Sequence, residues 1–88
     1  MKAEFRNSFA KDLKGVKEKG LLQRVQEMIE AIEKAGSLAE LPNLKKLKGG
    51  GKYFRVRVGD YRVGIALENK TVIFVRFLNR KDIYKYFP

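Results

Sequence analysis

Three residue types with distinctive chemistry are missing from this sequence. Its 88 residues include no histidine, no cysteine and no tryptophan. Without cysteine there can be no disulfide and no thiolate zinc site, and without histidine there is no imidazole base and no Ser–His–Asp triad. Any chemistry must therefore be carried out by lysine, arginine, tyrosine and carboxylate side chains, and we expect neither a metal nor a cofactor.

Long apolar runs are also missing. No stretch approaches the roughly 18 apolar residues of a membrane-spanning helix, and the first residues, MKAEFRNSF, lack the apolar core of a signal peptide. Hydrophobic residues make up 44% of the chain, which is enough for one core in a chain of this length. We therefore expect one soluble, cytoplasmic domain over residues 1–88, with no membrane partner.

Positive charge is abundant and unevenly distributed. The chain has 20 lysines and arginines against 10 acidic residues, a net charge of +10. Residues 1–40 contribute +1 of this, and residues 41–88 contribute +9. A surface this basic most often binds nucleic-acid phosphate, an anionic membrane or an acidic protein. A solvated surface that only favours solubility is the alternative.

The first half of the chain predicts a strand followed by a helical hairpin. Residues 1–6 alternate between polar and apolar, which is typical of a half-buried strand. We expect Ser8 to cap the first helix, Gly20 to separate the two helices, and Gly36 to end the second in a left-handed conformation. Apolar residues recur at helical spacing in both: Phe9, Leu13 and Val16, and then Leu21, Leu22, Val25, Met28, Ile29 and Ile32.

Residues 37–52 are predicted to be a connector. Leucine recurs at every third position, at Leu38, Leu41, Leu44 and Leu47, and should attach the connector to the core. The run Gly49–Gly51 is compatible with backbone amides approaching an anion and equally with a hinge before the next strand.

Beyond residue 52 the apolar period changes from 3.6 to 2 and predicts a three-strand meander. The strands cover residues 53–58, 61–67 and 71–78, and a short helix follows within residues 79–88. The third of these strands is apolar on both faces apart from Arg76, so it should be central and pair with the first strand. The sequence therefore predicts an α+β fold, β-α-α-β-β-β with a short final helix. The helical hairpin packs on one face of a mostly antiparallel four-stranded sheet.

Arginines collect on the sheet face that the helices should leave open. Arg55 and Arg57 share that face, about 7 Å apart, and a two-residue turn at Gly59-Asp60 would pair Arg57 directly with Arg62. Opposed like charges are destabilising, and a fold tolerates them more readily when an anion is expected to bind between them. Arg80 and Tyr84, one helical turn apart, can extend the patch. The residue content predicts a phosphate site, with an ordinary basic sheet face as the alternative.

Such a site could act on RNA, which supplies its own nucleophile in the 2′-hydroxyl. Arginine side chains would stabilise the charge that develops on the phosphate, and Tyr84 could donate a proton or stack on a base. Arginine does not lose its proton near neutral pH. The candidates for a general base are therefore Lys52, Tyr84, Tyr61 or a distant carboxylate.

Two segments, FRVRVGDYRV and VIFVRFLNRKDIYKYF, resemble the RelE/ParE superfamily of type II toxins, and the resemblance covers the whole chain. It implies a metal-independent mRNA endoribonuclease that cuts mRNA in the ribosomal A site and leaves a 2′,3′-cyclic phosphate and a 5′-hydroxyl. It also implies a monomeric toxin that an acidic, RelB-like antitoxin binds. ParE-like members share the fold but inhibit DNA gyrase without nuclease activity, and they are the alternative.

The resemblance also implies roles for individual residues. The catalytic residues would be Arg57, Arg62, Arg80 and Tyr84, and the RNA-binding residues would be Lys45, Lys46, Lys48, Lys52 and Arg55. Two positions depart from the family pattern. Arg57 stands where the best-known enzymes have a lysine thought to act as the base, and Asn79 stands where many relatives have a histidine.

Overall fold

The computed structural model describes residues 1–47 and 51–88. Within these residues there are three helices and five strands, and a short 3-10 helix, Leu38–Glu40, follows the second helix. In chain order the elements are β1 (Lys2–Phe5), α1 (Asn7–Lys14), α2 (Lys19–Lys34), β2 (Leu44–Lys46), β3 (Tyr53–Val58), β4 (Tyr61–Glu68), β5 (Thr71–Asn79) and α3 (Arg80–Tyr86). No helix within the described residues is long and apolar enough to cross a membrane.

The sheet confirms the predicted α+β class and adds one strand to it. The strand order is β1-β5-β4-β3-β2. β1 pairs with β5, as the apolar character of β5 predicted, and the two strands are parallel, whereas the other neighbours are antiparallel. The prediction of four strands was wrong because residues 44–46 of the connector pair with β3. Three residues are too few to show a strand period in the sequence.

The main core lies between the sheet and the helical hairpin. Phe9 of α1 and Val25 and Ile32 of α2 are buried against the sheet. The sheet contributes apolar residues from three strands: Val56, Val58, Val63, Ile65, Val72, Phe74 and Phe77. The opposite face is not fully open, since α3 packs on β4 and β5 and buries Ile83. The basic patch is therefore confined to the part of this face that α3 leaves uncovered.

Three predicted helix boundaries were wrong. Ser8 lies inside α1 and its hydroxyl donates to the carbonyl of Val75, at 2.6 Å, instead of capping the helix. That carbonyl is available because the register between β4 and β5 skips Val75, leaving it without a partner in β4. A tertiary hydrogen bond to a bulge thus replaces the expected local one.

The glycines at the helix ends also differ from the prediction. α1 ends before Gly15, and Gly20 lies in the first turn of α2. The residue after α2 is Ala35 in an extended conformation, and Gly36 is not left-handed. Ser37 and Glu40 form a capping box at the start of the 3-10 helix that follows, in which the Glu40 carboxylate accepts from the backbone N–H of Ser37 at 3.1 Å. The same carboxylate accepts from the backbone N–H of Gly36 at 2.9 Å.

Candidate functional site

The β3–β4 hairpin sets the spacing of the arginines. Val58 pairs with Tyr61 and Arg57 pairs with Arg62, as the two-residue turn predicted. Gly59, the first residue of that turn, has a φ of 59°, as a type II′ turn requires. On the other side of β3, Arg55 pairs with Lys45 of β2. Two like-charged pairs thus lie across neighbouring strands, which costs stability unless an anion compensates them.

These side chains line a cleft of about 410 Å³. Its lining consists of Asn43, Leu44, Lys45, Arg55, Arg57, Arg62 and Tyr84. Four of these residues are cationic, and no carboxylate is among the described residues that line the cleft. The size and charge suit a phosphodiester and disfavour a divalent cation.

Backbone carbonyls fix the guanidinium of Arg62. One terminal nitrogen, Nη1, donates to the carbonyls of Gly59 and Tyr61, at 3.0 and 2.9 Å. A guanidinium has five N–H donors, so this arrangement holds Arg62 in place and leaves donors for a ligand. Arg57, its partner across the strands, is exposed.

Tyr84 covers the other end of the cleft by stacking on Arg55. The guanidinium carbon of Arg55 lies 4.4 Å from the centroid of the Tyr84 ring, within cation–π distance. The Tyr84 side chain is nevertheless 67% exposed. One face of its ring is therefore occupied by Arg55, and the phenol is accessible to a ligand in the cleft.

The polar side chain of Asn79 caps the helix that carries Tyr84. Its amide oxygen accepts from the backbone N–H groups of Lys81 and Asp82, at 2.9 and 3.0 Å, and its amide nitrogen donates to the Asp82 carboxylate at 3.1 Å. Both ends of the amide are thus used within α3. Asn79, where the resemblance implies a histidine in many relatives, thus has a local structural role here.

Several predicted residues lie outside the cleft. Arg80 lines a separate depression together with Asp60, Asn79 and Lys81, and its backbone N–H donates to the Asp60 carbonyl at 2.9 Å. Lys46 follows Lys45 on β2 but does not line the cleft. Lys48 lies outside the described residues.

Lys52 is also outside the cleft, and it is paired. Its Nζ donates to the Glu68 carboxylate at 2.9 Å and lies 5.5 Å from the centroid of the Tyr53 ring. The hydrogen bond to Glu68 raises the pKa of Lys52, and the same bond lowers the pKa of Glu68. Lys52 therefore stays protonated at neutral pH, and a protonated amine cannot act as a general base.

Two residues of the cleft, Asn43 and Leu44, were not predicted. Asn43 is left-handed, with a φ of 63°, and its carbonyl accepts from the backbone N–H of Arg57 at 3.1 Å. This turn brings Leu44 and Lys45 beside β3. The dipeptide Pro42-Asn43 was the available signal, because proline and asparagine favour turns and asparagine tolerates left-handed backbone.

Comparison with known proteins gives consistent matches over nearly the whole chain. Residues 3–84 match a family model described as the ParE toxin of the type II toxin–antitoxin system parDE. The chain is 45% identical to toxin RelE3 of Methanocaldococcus jannaschii, and the alignment covers all of both proteins.

Two solved toxin–antitoxin complexes are also similar. The RelB–RelE complex from Methanococcus jannaschii matches with a TM-score of 0.83 and 42% identity, over 97% of this chain and 99% of that one. The RelE–RelB complex from Pyrococcus horikoshii OT3 matches in fold, with a TM-score of 0.74 and 24% identity, over 90% and 93% of the two chains.

Proposed function

The chain belongs to the RelE/ParE superfamily of type II toxins, and we propose that it is a metal-independent, ribosome-dependent mRNA endoribonuclease. In this proposal the 2′-hydroxyl of the RNA is the nucleophile. The observation that carries the proposal is the cationic cleft, in which Arg55, Arg57, Arg62 and Lys45 surround a space large enough for a phosphodiester.

Arg57 and Arg62 would hold the scissile phosphate between them. Because they are directly opposed across β3 and β4, a phosphate on the hairpin surface can accept hydrogen bonds from both guanidiniums. Charge-assisted bonds of this kind are short and strong, and a guanidinium can bind two phosphate oxygens at once. The bound anion would also relieve the repulsion between the two arginines.

The reaction would proceed by attack of the 2′-oxygen on the adjacent phosphorus. The bond from phosphorus to the 5′-oxygen breaks, which gives a 2′,3′-cyclic phosphate and a 5′-hydroxyl. Negative charge builds up on the phosphate oxygens before the bond breaks, and fixed guanidiniums stabilise it. Removing a single donor of this kind typically costs about 3–4 kcal/mol in the barrier.

Tyr84 would protonate the departing 5′-oxygen. Its phenol is exposed at the cleft while its ring is held on Arg55. The 2′-hydroxyl proton would pass to water, since no carboxylate lies among the described residues of the cleft and Lys52 is paired with Glu68. Tyr61 stacks on Phe77, with centroids 4.8 Å apart, and does not line the cleft. The proposal therefore assigns most of the acceleration to charge stabilisation by arginine.

The remaining basic residues would bind RNA at a distance from the reacting phosphate. Lys45 lines the cleft, Lys46 is exposed on β2, and Lys52 is exposed directly before β3. We propose that these residues, together with Lys48 and Arg80, contact the backbone of the mRNA or of ribosomal RNA. Arg80 would then act on binding, since it lies in the separate depression beside Asp60.

We also propose that an acidic, RelB-like antitoxin binds the monomeric toxin and covers the cleft. The support is the excess of +9 in residues 41–88 and the similarity to two toxins solved in complex with RelB. Such an interface should weaken steeply with ionic strength. Titration of the purified pair at low and high salt tests this, and equal affinity at both would contradict it.

Inhibition of DNA gyrase is the second candidate function, because the family model that matches is that of the ParE toxins. Inducing the protein in bacteria and mapping RNA ends and chromosome breaks in the same cells separates the two. The endoribonuclease predicts new 5′-hydroxyl ends inside reading frames and intact DNA. A folded Arg57→Ala/Arg62→Ala variant should produce none, and Lys17→Ala on the α1–α2 loop should match the wild type.

The other outcomes decide against the proposal. Double-strand breaks with intact mRNA would support the gyrase alternative. Normal growth with neither lesion would contradict both activities and would favour a non-catalytic RNA-binding module.

A further inference from the structure

Gly64 of β4 has no room for a side chain. A Cβ atom built on it would lie 2.6–2.7 Å from three ring atoms of Phe87, closer than real Cβ contacts. Gly64 is not left-handed, so its backbone conformation does not require glycine. The close approach of the Phe87 ring is therefore the reason that glycine is needed here.

Phe87 directly follows α3 and fixes that helix to the sheet. The ring is buried, with 6% of the residue exposed. It meets the ring of Tyr53 edge-on, with centroids 5.8 Å apart. The backbone N–H of Phe87 donates to the carbonyl of Ile83, at 3.0 Å, so the ring position is coupled directly to the last turn of α3.

The residues that Phe87 and Tyr84 contact on the sheet are adjacent to each other. Gly64 and Arg55 are directly paired across β4 and β3. Phe87 lies on Gly64 and Tyr84 lies on Arg55, at 4.4 Å. Tyr84 lies in the last turn of α3 and Phe87 is the residue that directly follows the helix. The two neighbouring aromatic contacts thus fall on one cross-strand pair, Arg55 and Gly64.

We propose that Gly64 and Phe87 are positioning residues for the cleft: the bare Gly64 surface sets how closely α3 approaches the sheet, and this distance places Tyr84 on Arg55. The consequence for cleavage rests on the proposed endoribonuclease function. A side chain at residue 64 would push the Phe87 ring outward, tilt the end of α3 and move Tyr84 away from Arg55. Displacements of about 1 Å at a reacting group can cost up to a hundredfold in rate.

A merely structural role makes a different prediction. Ile83 also fixes α3 and is fully buried, so the helix could keep its place if Phe87 were disturbed. In that case Gly64→Ala would lower stability but leave the stack of Tyr84 on Arg55 unchanged. The geometry of the stack therefore has to be measured separately from stability.

The experiment compares Gly64→Ala, Phe87→Leu and the double variant with the wild type. Gly20→Ala is the matched control, because a Cβ at Gly20 meets nothing within 4 Å. The first readout is the NMR resonance of the Arg55 Nε–H, which the Tyr84 ring current shifts, and Tyr84→Leu supplies the unstacked reference position. The second readout is the single-turnover cleavage rate at saturating ribosome-bound mRNA.

We expect Gly64→Ala to move the Arg55 resonance toward the unstacked position and to slow cleavage by about ten- to a hundredfold. Gly20→Ala should leave both unchanged. In Gly64→Ala/Phe87→Leu the smaller, flexible leucine should partly restore the Arg55 resonance and the cleavage rate. The double variant should therefore be less impaired than the sum of the two single effects. An unmoved resonance in Gly64→Ala, or independent effects of the two substitutions, would overturn the proposal.

The two readouts also separate this proposal from the proposed function. If the wild type cleaves no mRNA while Gly64→Ala still moves the Arg55 resonance, the endoribonuclease proposal fails and the positioning of Tyr84 stands. If the wild type cleaves and Gly64→Ala cleaves as fast, the positioning proposal fails alone.

Discussion

Arg57 and Arg62 lie directly opposite each other across the β3–β4 hairpin, and both line the same cleft. No ion pair to a carboxylate involves either residue within residues 1–47 and 51–88. Facing guanidiniums repel each other, and the hairpin therefore gives up stability to keep them. The loss of stability is understandable if the two arginines bind a phosphate.

The first prediction concerns the repulsion between Arg57 and Arg62. Arg57→Thr should raise the free energy of unfolding by about 0.5 kcal/mol at low ionic strength, because it removes the repulsion and places a strand-favouring residue in β3. The same variant should lose cleavage. Urea unfolding at low and high salt measures the first effect, with Lys17→Thr as control. A destabilised variant whose deficit is independent of salt would contradict the repulsion.

The second prediction separates the phenol of Tyr84 from its ring. Tyr84→Phe keeps the ring available to stack on Arg55 but removes the proton donor. Cleavage should slow by about a hundredfold, while affinity for a non-cleavable 2′-deoxy mRNA stays within about twofold, since the aromatic ring and the basic residues that contact the RNA are unchanged. Single-turnover rates and affinities measured on the same ribosome complexes provide the test. Wild-type rates in Tyr84→Phe would show that the hydroxyl has no part in the reaction.

The third prediction concerns Lys52. Its pKa is raised, chiefly by the hydrogen bond to Glu68, so it cannot act as a base near neutral pH. Lys52→Gln should therefore leave the cleavage rate at saturating substrate unchanged and weaken only substrate binding. A large fall in the saturated rate, together with loss of a limb of the pH–rate profile, would identify Lys52 as the base.

The same ion pair has a defined pH window for stability. The raised pKa of Lys52 stabilises the folded state at pH values below the ordinary lysine pKa, and this is lost as pH rises through the raised value. The lowered pKa of Glu68 stabilises it above the ordinary glutamate pKa, and this is lost as pH falls through the lowered value. Glu68→Gln should therefore have a lower free energy of unfolding than the wild type, and the difference should be largest at pH values between the pKa of Glu68 and the pKa of Lys52.

The fourth prediction concerns an ion pair on which α1 depends. The Asp12 carboxylate accepts from Nε and Nη2 of Arg76, at 2.8 and 3.1 Å, and from the backbone N–H of Phe77 at 2.8 Å. The hydrogen bond to Asp12 raises the pKa of Arg76. Asp12→Ala leaves a partly buried guanidinium and the Phe77 backbone N–H without a hydrogen-bond acceptor at this site.

Asp12→Ala should lower the free energy of unfolding by about 2–3 kcal/mol. Asp12→Ala/Arg76→Met should cost less than Asp12→Ala alone, because the unpaired charge is removed as well. Thermal and urea unfolding provide the measurement. A double variant as unstable as Asp12→Ala would show that the loss of the hydrogen bond from the Phe77 backbone N–H accounts for the whole effect.

Long periodic segments made most of the fold predictable. The stripe of α2 and the alternation in β3 and β4 fixed the class, the hairpin register and the pairing of Arg57 with Arg62. The pairing of β1 with β5 followed from the apolar character of β5. The prediction was wrong where a tertiary contact decided the local structure, as at Ser8, whose hydroxyl bonds a bulge carbonyl far away in sequence.

The arginines of the sheet that form the candidate site were predictable, but the full set of residues that line the cleft was not. Alternation placed Arg55, Arg57 and Arg62 on one face, whereas Arg80 and Tyr84 at helical spacing did not end in one cleft. Arg80 is the first residue of α3 and lines a separate depression beside Asp60, whose carbonyl accepts from its backbone N–H. The contribution of Asn43 depends on a left-handed turn that residue type alone does not determine.

The central claim is that the cleft cleaves RNA by charge stabilisation, and the end chemistry of the product tests it most directly. The purified protein is incubated with ribosomes carrying a defined mRNA, and the new ends are analysed by mass spectrometry. We expect a 2′,3′-cyclic phosphate and a 5′-hydroxyl, formed in the presence of chelator, and neither end with Arg57→Ala/Arg62→Ala. Uncut mRNA, ends bearing a 5′-phosphate, or undiminished cleavage by that variant would contradict it.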